Sequence, residues 1–209
     1  MKGRKLSAGD MAARREIMLE TAFRLFTEKN IDSVTMGEIA AVTGFTTRSL
    51  QRYFHSKENL VVAVSTWAWE NYLNVNREQS PENTGTAAET YEFMVESFIR
   101  LYRENVDILR FNQFFNVYVR SQKFSSEQMQ PFIAMIDAIK ARFHLVYLRG
   151  QEDGTLRTDY SEEEIFSTTL HLMLAIATRY AVGLVYDAGV SPERELIAQK
   201  EMLLARYTV

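Results

Sequence analysis

Apolar residues in this chain recur every three or four positions instead of alternating, which is the period of helices that bury one face. Over residues 11–29, Ile17, Met18, Ala22, Leu25 and Phe26 form such a stripe, with Arg14, Arg15, Glu16, Arg24 and Glu28 elsewhere on the surface. Asn30 stands where a left-handed C-terminal cap is expected. Thr35-Met36-Gly37-Glu38 reads as a capping box that opens a short second helix ending near residue 42. Gly44 permits a tight turn, Phe45 anchors it, and Thr46 caps a third helix starting at Thr47. Two short helices about a Gly-containing turn make a helix-turn-helix candidate. Ser56 then caps a long helix to about residue 77, with Leu60, Val64 and Trp67 on one face, and residues 80–85 break it.

The same reading predicts further helices over residues 87–104, 106–121, 131–149, 162–188 and 192–207. Ser161 and Glu164 offer another capping box, and Ser191-Pro192 puts proline at a first helical position. Residues 123–130 and 150–154 read as loops. With only 3 Pro and 9 Gly in 209 residues, the expectation is an all-α fold. It has an N-terminal three-helix, helix-turn-helix domain over residues 1–55 and a larger helical domain over 56–209, with 56–77 as the connecting helix.

Composition narrows the chemistry. There is no Cys, which removes disulfides, thiolate metal sites and cysteine nucleophiles. Net charge is −3, but residues 1–60 hold 10 Lys and Arg against 7 Asp and Glu, while the rest hold 14 against 20. A basic head on an acidic body suits a DNA-binding domain joined to one that does not bind DNA. The basic start Met1-Lys2-Gly3-Arg4-Lys5 runs into charged residues, so no secretory signal is expected. The apolar run from Leu170 to Tyr186 is interrupted by His171 and Arg179 and is shorter than the ~20 residues of a membrane span, so the chain is expected in the cytoplasm. His55, His144 and His171 lack metal-ligand spacing and no Gly-rich phosphate loop occurs, so neither an enzyme nor a cofactor is expected.

Ile39-Ala40, Gly44, Leu50 and the run Tyr53-Phe54-His55-Ser56-Lys57-Glu58-Asn59-Leu60, with Phe23-Arg24-Leu25-Phe26 in the first helix, resemble the N-terminal signature of the TetR family. The likeness covers about residues 11–64. It implies a dimeric transcriptional regulator that holds DNA through the helix-turn-helix and senses a small molecule through the C-terminal domain. It also implies that Thr35, Tyr53 and Lys57 grip the phosphate backbone. The family usually has Gly where Asn30 stands, a small residue where Arg48 stands and an aromatic where Gln51 stands, so no base preference is carried over.

The residues support this reading on their own account. A recognition helix offers polar side chains from its first turns to base edges, and Thr46, Thr47, Arg48, Gln51 and Arg52 are so placed, with Leu50 and Phe54 facing inward. A hydroxyl at Thr35, a phenol at Tyr53 and an ammonium at Lys57, at or near helix N-termini, suit a phosphate. Lys2, Arg4 and Lys5 read as a frayed basic terminus in preference to a minor-groove arm.

In the body, Phe111, Phe114, Phe115 and Tyr118 share one helical stripe and Tyr91, Phe98 and Tyr102 another. Such stripes are core or line an apolar site. The candidate effector contacts are Trp67, Phe98, Tyr102, Phe111, Phe115, Tyr118, Tyr147 and His171. Glu164, Ser167, Thr168, His171 and Thr178 run as a polar stripe through an apolar helix, while His144 shares a solvated flank with Asp137 and Lys140. A helix apolar nearly all round must bury more than one face, so the last two helices are expected to build a homodimer, with Ala175, Ala177, Ala181 and Gly183 allowing close approach. The expected function is a repressor released from a palindromic operator by a small, largely apolar or aromatic effector. The alternative is a DNA-binding dimer whose body serves protein interaction or chromosome organisation without a small ligand.

Overall fold

A computed structural model describes residues 7–183, 189 and 191–209. Among these residues there are nine α-helices and no strand, with one isolated antiparallel bridge between Leu156 and Thr208. Lys2, Arg4 and Lys5 lie outside the described residues.

The first helix, α1 (Ala8–Lys29), begins three residues before the expected start at residue 11 because Ser7 and Asp10 close a full capping box, each accepting the other's backbone N–H at 3.1 Å. It buries Met18, Leu19, Ala22, Leu25 and Phe26. Asn30 takes a positive φ of 67° but an extended ψ of 162°, so the chain leaves the helix outright instead of curling into a left-handed turn. The Asn30 Oδ1 then accepts from the Ser33 N–H at 3.1 Å.

At the start of α2 (Met36–Thr43), Thr35 Oγ1 accepts from the Glu38 N–H at 3.1 Å, but only this half of the expected box forms. The Glu38 carboxylate turns to Lys29 at 2.5 Å, because an ammonium is a stronger partner than a backbone amide. The same happens at α8 (Glu162–Ala181), where Ser161 caps the helix and Glu164 pairs with Arg206 at 3.1 Å. Between these lie α3 (Thr47–Phe54), α4 (Lys57–Glu78), α5 (Ala87–Glu104), α6 (Val106–Ser121) and α7 (Ser126–Asp153), and α9 (Pro192–Tyr207) ends the series.

Both loops expected around α7 belong largely to the helix. Ser125 and Gln128 form a reciprocal cap, Ser125 Oγ accepting the Gln128 N–H at 3.2 Å and Gln128 Oε1 the Ser125 N–H at 2.9 Å. Pro131 is carried in the second turn. At the other end, Gly150 reads as a breaker but stays helical because a Cβ there would lie 2.5 Å from the Leu156 Cβ. The helix expected to reach residue 188 is described to Ala181, and residues 184–188 lie outside the described residues.

The described residues divide into two compact units, and the division falls elsewhere than at residue 55. The head runs to Trp69 and includes Phe114–Phe132; the body is Glu70–Gln113 with Ile133–Val209. The first half of α4 joins the head because it buries Leu60, Val61 and Val64, and the last turns of α6 join it through buried Phe115 and Tyr118. Both α4 and α6 therefore belong to each unit in part.

The body has its own polar framework. Thr86 and Glu89 form a capping box at α5, and the next two amides are taken from far along the chain: Ala87 N–H donates to Asp153 at 2.7 Å and Ala88 N–H to Thr155 at 3.0 Å. The four free N–H groups of a helix start are thus largely satisfied. Tyr91 is buried, its hydroxyl hydrogen-bonded to Thr169 at 2.7 Å and its ring edge-on to Tyr207. The C-terminus is tied in by Arg157 N–H to the Tyr207 carbonyl at 2.8 Å.

Candidate nucleic-acid interface

Thr46 caps α3, its Oγ1 accepting the Ser49 N–H at 3.1 Å, and Gly44 makes the turn before it in the left-handed conformation at φ 71°, ψ 10°. The turn is left-handed because α2 must reverse within four residues, which a Cβ would resist. Leu50 and Phe54 are buried and seat α3 on the head. Thr47, Arg48, Gln51 and Arg52 are all exposed and, at one-turn spacing, occupy its opposite side. Arginines of α1 brace the turn and the end of α3: the Arg14 guanidinium lies 5.5 Å from the Phe45 ring centre and that of Arg15 5.7 Å from the Phe54 ring centre.

The link from α3 to α4 is strained. His55 sits at φ 63°, ψ −51°, and the Ser56 N–H reaches back to the Phe54 carbonyl at 2.7 Å, a γ-turn of the rarer hand. Just before it, the Tyr53 and Phe54 rings lie 6.2 Å apart in a tilted pair. Tyr53 is half-buried and its hydroxyl is buried without a hydrogen-bond partner.

Lys57, the first residue of α4, is held by two contacts. Its Nζ donates to the Asp32 carbonyl at 3.3 Å, lies 5.4 Å from the centre of the Tyr118 ring, and is half-buried. Burial lowers its pKa, and the charges of Asp32 and Glu58 offset this in part. Burial, followed by the charges of Glu58 and Asp32, pushes the Tyr118 phenol up to about 12. Lys57 is therefore tied to the α1–α2 loop and to the end of α6, ties that the sequence pattern alone did not reveal.

The eight residues singled out as effector contacts do not come together in one unit. Trp67 belongs to the head, donating its indole N–H to Glu16 at 2.7 Å with its ring edge-on to Phe23. Phe115 is buried against Phe132 and Tyr118 against Phe124, also in the head. In the body, Phe111 is buried, Phe98 and Tyr102 are half-buried on α5, and the Tyr147 hydroxyl donates to the Tyr160 carbonyl at 2.9 Å. His171 is exposed on α8. His144 is exposed as well, its Nδ1 2.8 Å from Glu162. Among the described residues no metal-binding cluster occurs, and no helix is long and apolar enough to cross a membrane.

Residues 18–64, from mid-α1 through α3 into α4, match the family model described as bacterial regulatory proteins, tetR family. Its helix-turn-helix segment is thus that of the TetR family, whose members are bacterial regulatory proteins. Solved structures share the whole fold at low identity. A TetR transcription regulator from Haloarcula marismortui is 16% identical with a TM-score of 0.76, over 95% of this chain and 100% of that one. The fatty acid degradation regulator FadR from Bacillus halodurans is 12% identical, with a TM-score of 0.72 over 96% and 97%. A transcriptional regulator from Saccharomonospora viridis in complex with choline is 17% identical, with a TM-score of 0.71 over 95% and 99%. No curated protein is similar enough in sequence to count as a relative.

Proposed function

We propose that this TetR-family protein is a homodimeric repressor that leaves a palindromic operator when its body takes up a small, largely apolar or aromatic effector. The observation that carries the DNA half is the exposed polar side of α3 over its buried Leu50 and Phe54 seat. Thr47, Arg48, Gln51 and Arg52 read base edges in the major groove. Thr35 and Thr46, at helix starts, together with Tyr53 and Lys57, fix the register on phosphates.

The effector half draws on Phe98, Tyr102, Phe111 and Tyr147, the singled-out aromatics of the body. Choline bound to a protein of the same fold supports a body that holds a small molecule. The dimer forms on α8 and α9. Ala177 and Ala181 are buried within the protomer, so the faces left for a second copy are Thr168, His171 and Ala175 on α8 and Ala198, Met202 and Ala205 on α9. Operator release follows because α4 begins beside α3 and continues into the body, and a dimer reads two half-sites only while its recognition helices keep their spacing.

Linkage supplies the test. An effector that releases operator must itself bind more weakly to the operator-bound protein, by the same factor. Effector affinity measured with and without saturating operator should differ by this factor, and equal values would remove the effector from the mechanism.

A further inference from the structure

Arg100, near the C-terminal end of α5, is half-buried and makes no ion pair among the described residues. The acids one turn away on α5 do not serve it. Glu96 pairs with Arg103 at 3.8 Å and with Lys200 at 3.0 Å, and Glu104 makes no ion pair. What holds the guanidinium is neutral. Asn76 Oδ1 accepts from Nε at 3.3 Å and from Nη2 at 3.0 Å, the Phe93 carbonyl accepts from Nη2 at 3.4 Å, and the Phe93 ring centre lies 4.4 Å from the guanidinium carbon.

This holder is itself fixed. Asn76 is 8% exposed and donates its amide N–H to the Tyr72 carbonyl at 2.9 Å, while the Tyr72 hydroxyl donates to the Ser97 carbonyl. Burial pushes the Tyr72 phenol up to about 12, so it stays neutral. A cation drawn partly out of water is ordinarily paired with a carboxylate, since dipoles alone leave its charge uncompensated. Here the full positive charge is oriented by dipoles and a ring face, and Nη1 makes no hydrogen bond among the described residues. In the same unit the Thr178 hydroxyl, in a residue 7% exposed, also has no hydrogen-bond partner among the described residues.

We propose that Arg100, held by Asn76 and Phe93, binds the carboxylate of an otherwise apolar effector. This deepens the effector half of the function above and rests on that reading. The guanidinium supplies charge-assisted hydrogen bonds from a fixed plane, the geometry suited to a carboxylate, and the Phe93 ring beside it offers an apolar contact. The effector is thus a small aromatic or aliphatic acid, not a neutral hydrocarbon or an amine.

The test titrates the full-length protein with 2-naphthoate, 2-naphthol and 2-naphthylmethylammonium, which share one ring system and differ in charge. A charge-assisted pair predicts naphthoate binding roughly 10- to 100-fold tighter than naphthol, with the ammonium compound weakest. Asn76→Asp keeps the tie to Arg100 but neutralises it internally, and should bring naphthoate down to the naphthol level while naphthol binding persists. Arg100→Gln should do the same, and stands as the test if Asn76→Asp does not fold. A wild-type protein that binds naphthoate no better than naphthol, or binds none of the three, overturns the inference. So does a preference that survives both substitutions. Operator binding in the same buffer separates the two levels: operator bound without charge preference defeats the carboxylate site alone, and operator not bound defeats the regulator.

Discussion

At the residue scale, the roles proposed for Arg48 and Lys57 in DNA binding differ in ways a binding assay can separate. Arg48→Ala should cost on the order of 1–3 kcal/mol at one base position of each half-site and relax preference there. Lys57→Ala should weaken binding to all sequences alike and lower the salt slope, since a phosphate contact releases counterions without reading bases. Because the Tyr118 ring holds Lys57 in place, Tyr118→Leu should reproduce part of the Lys57→Ala loss although residue 118 is remote in sequence. Operator affinity against salt for the three variants checks this. His55 is the other informative residue. A side chain at φ 63° is strained, so His55→Gly should raise the stability of the head by about 1 kcal/mol, read in a urea melt. The polar face of α3 was legible because surface residues at one-turn spacing need no tertiary information. The ties on Lys57 were not, because they come from α6 and from a backbone carbonyl.

At the element scale, periodicity placed α5, α6 and α9 to the residue, helped by the Thr86–Glu89 capping box at α5 and by Pro192 in the first turn of α9. It failed at α7, where Pro131 and Gly150 carry breaker chemistry that the fold overrides. The Ser125–Gln128 cap pulls the start forward, and Leu156 packs so close that only glycine fits at 150. Gly150→Ala should destabilise the body by about 1–3 kcal/mol through overpacking, with little effect at the head, measurable by hydrogen exchange of α7 against α2. The start of α5 depends on Asp153. Burial would raise its carboxyl, but the Ala87 and Thr155 donors outweigh burial and hold its pKa below the usual aspartate value. A lowered carboxylate contributes stability above its unfolded pKa and loses it as pH falls through the folded one. Asp153→Ala should therefore lower the melting temperature at pH 7, and the difference from wild type should shrink as pH falls below about 4.

At the scale of the whole molecule, the sequence located a helix-turn-helix and a separate body but not their boundary. Its periodicity cannot show that α4 and α6 each change units midway, because unit membership depends on which distant residues bury Leu60, Val64, Phe115 and Tyr118. For the same reason the eight effector candidates scattered: an aromatic stripe announces burial without saying in which core. The exposed faces of α8 and α9 predict a dimer at micromolar concentration in sedimentation, and Met202→Glu, at a position 62% exposed in the protomer, should shift it toward monomer. The central claim is that two copies of α3 read one symmetric site. The most direct measurement is selection of bound duplexes from a random DNA library by the wild-type protein and by the Arg48→Ala, Gln51→Ala double variant. The account predicts a two-fold symmetric site with half-sites about 34–36 Å apart, or a multiple of that, and loss of its specified bases in the variant. Enrichment of no sequence, or of the same site by both proteins, would contradict it.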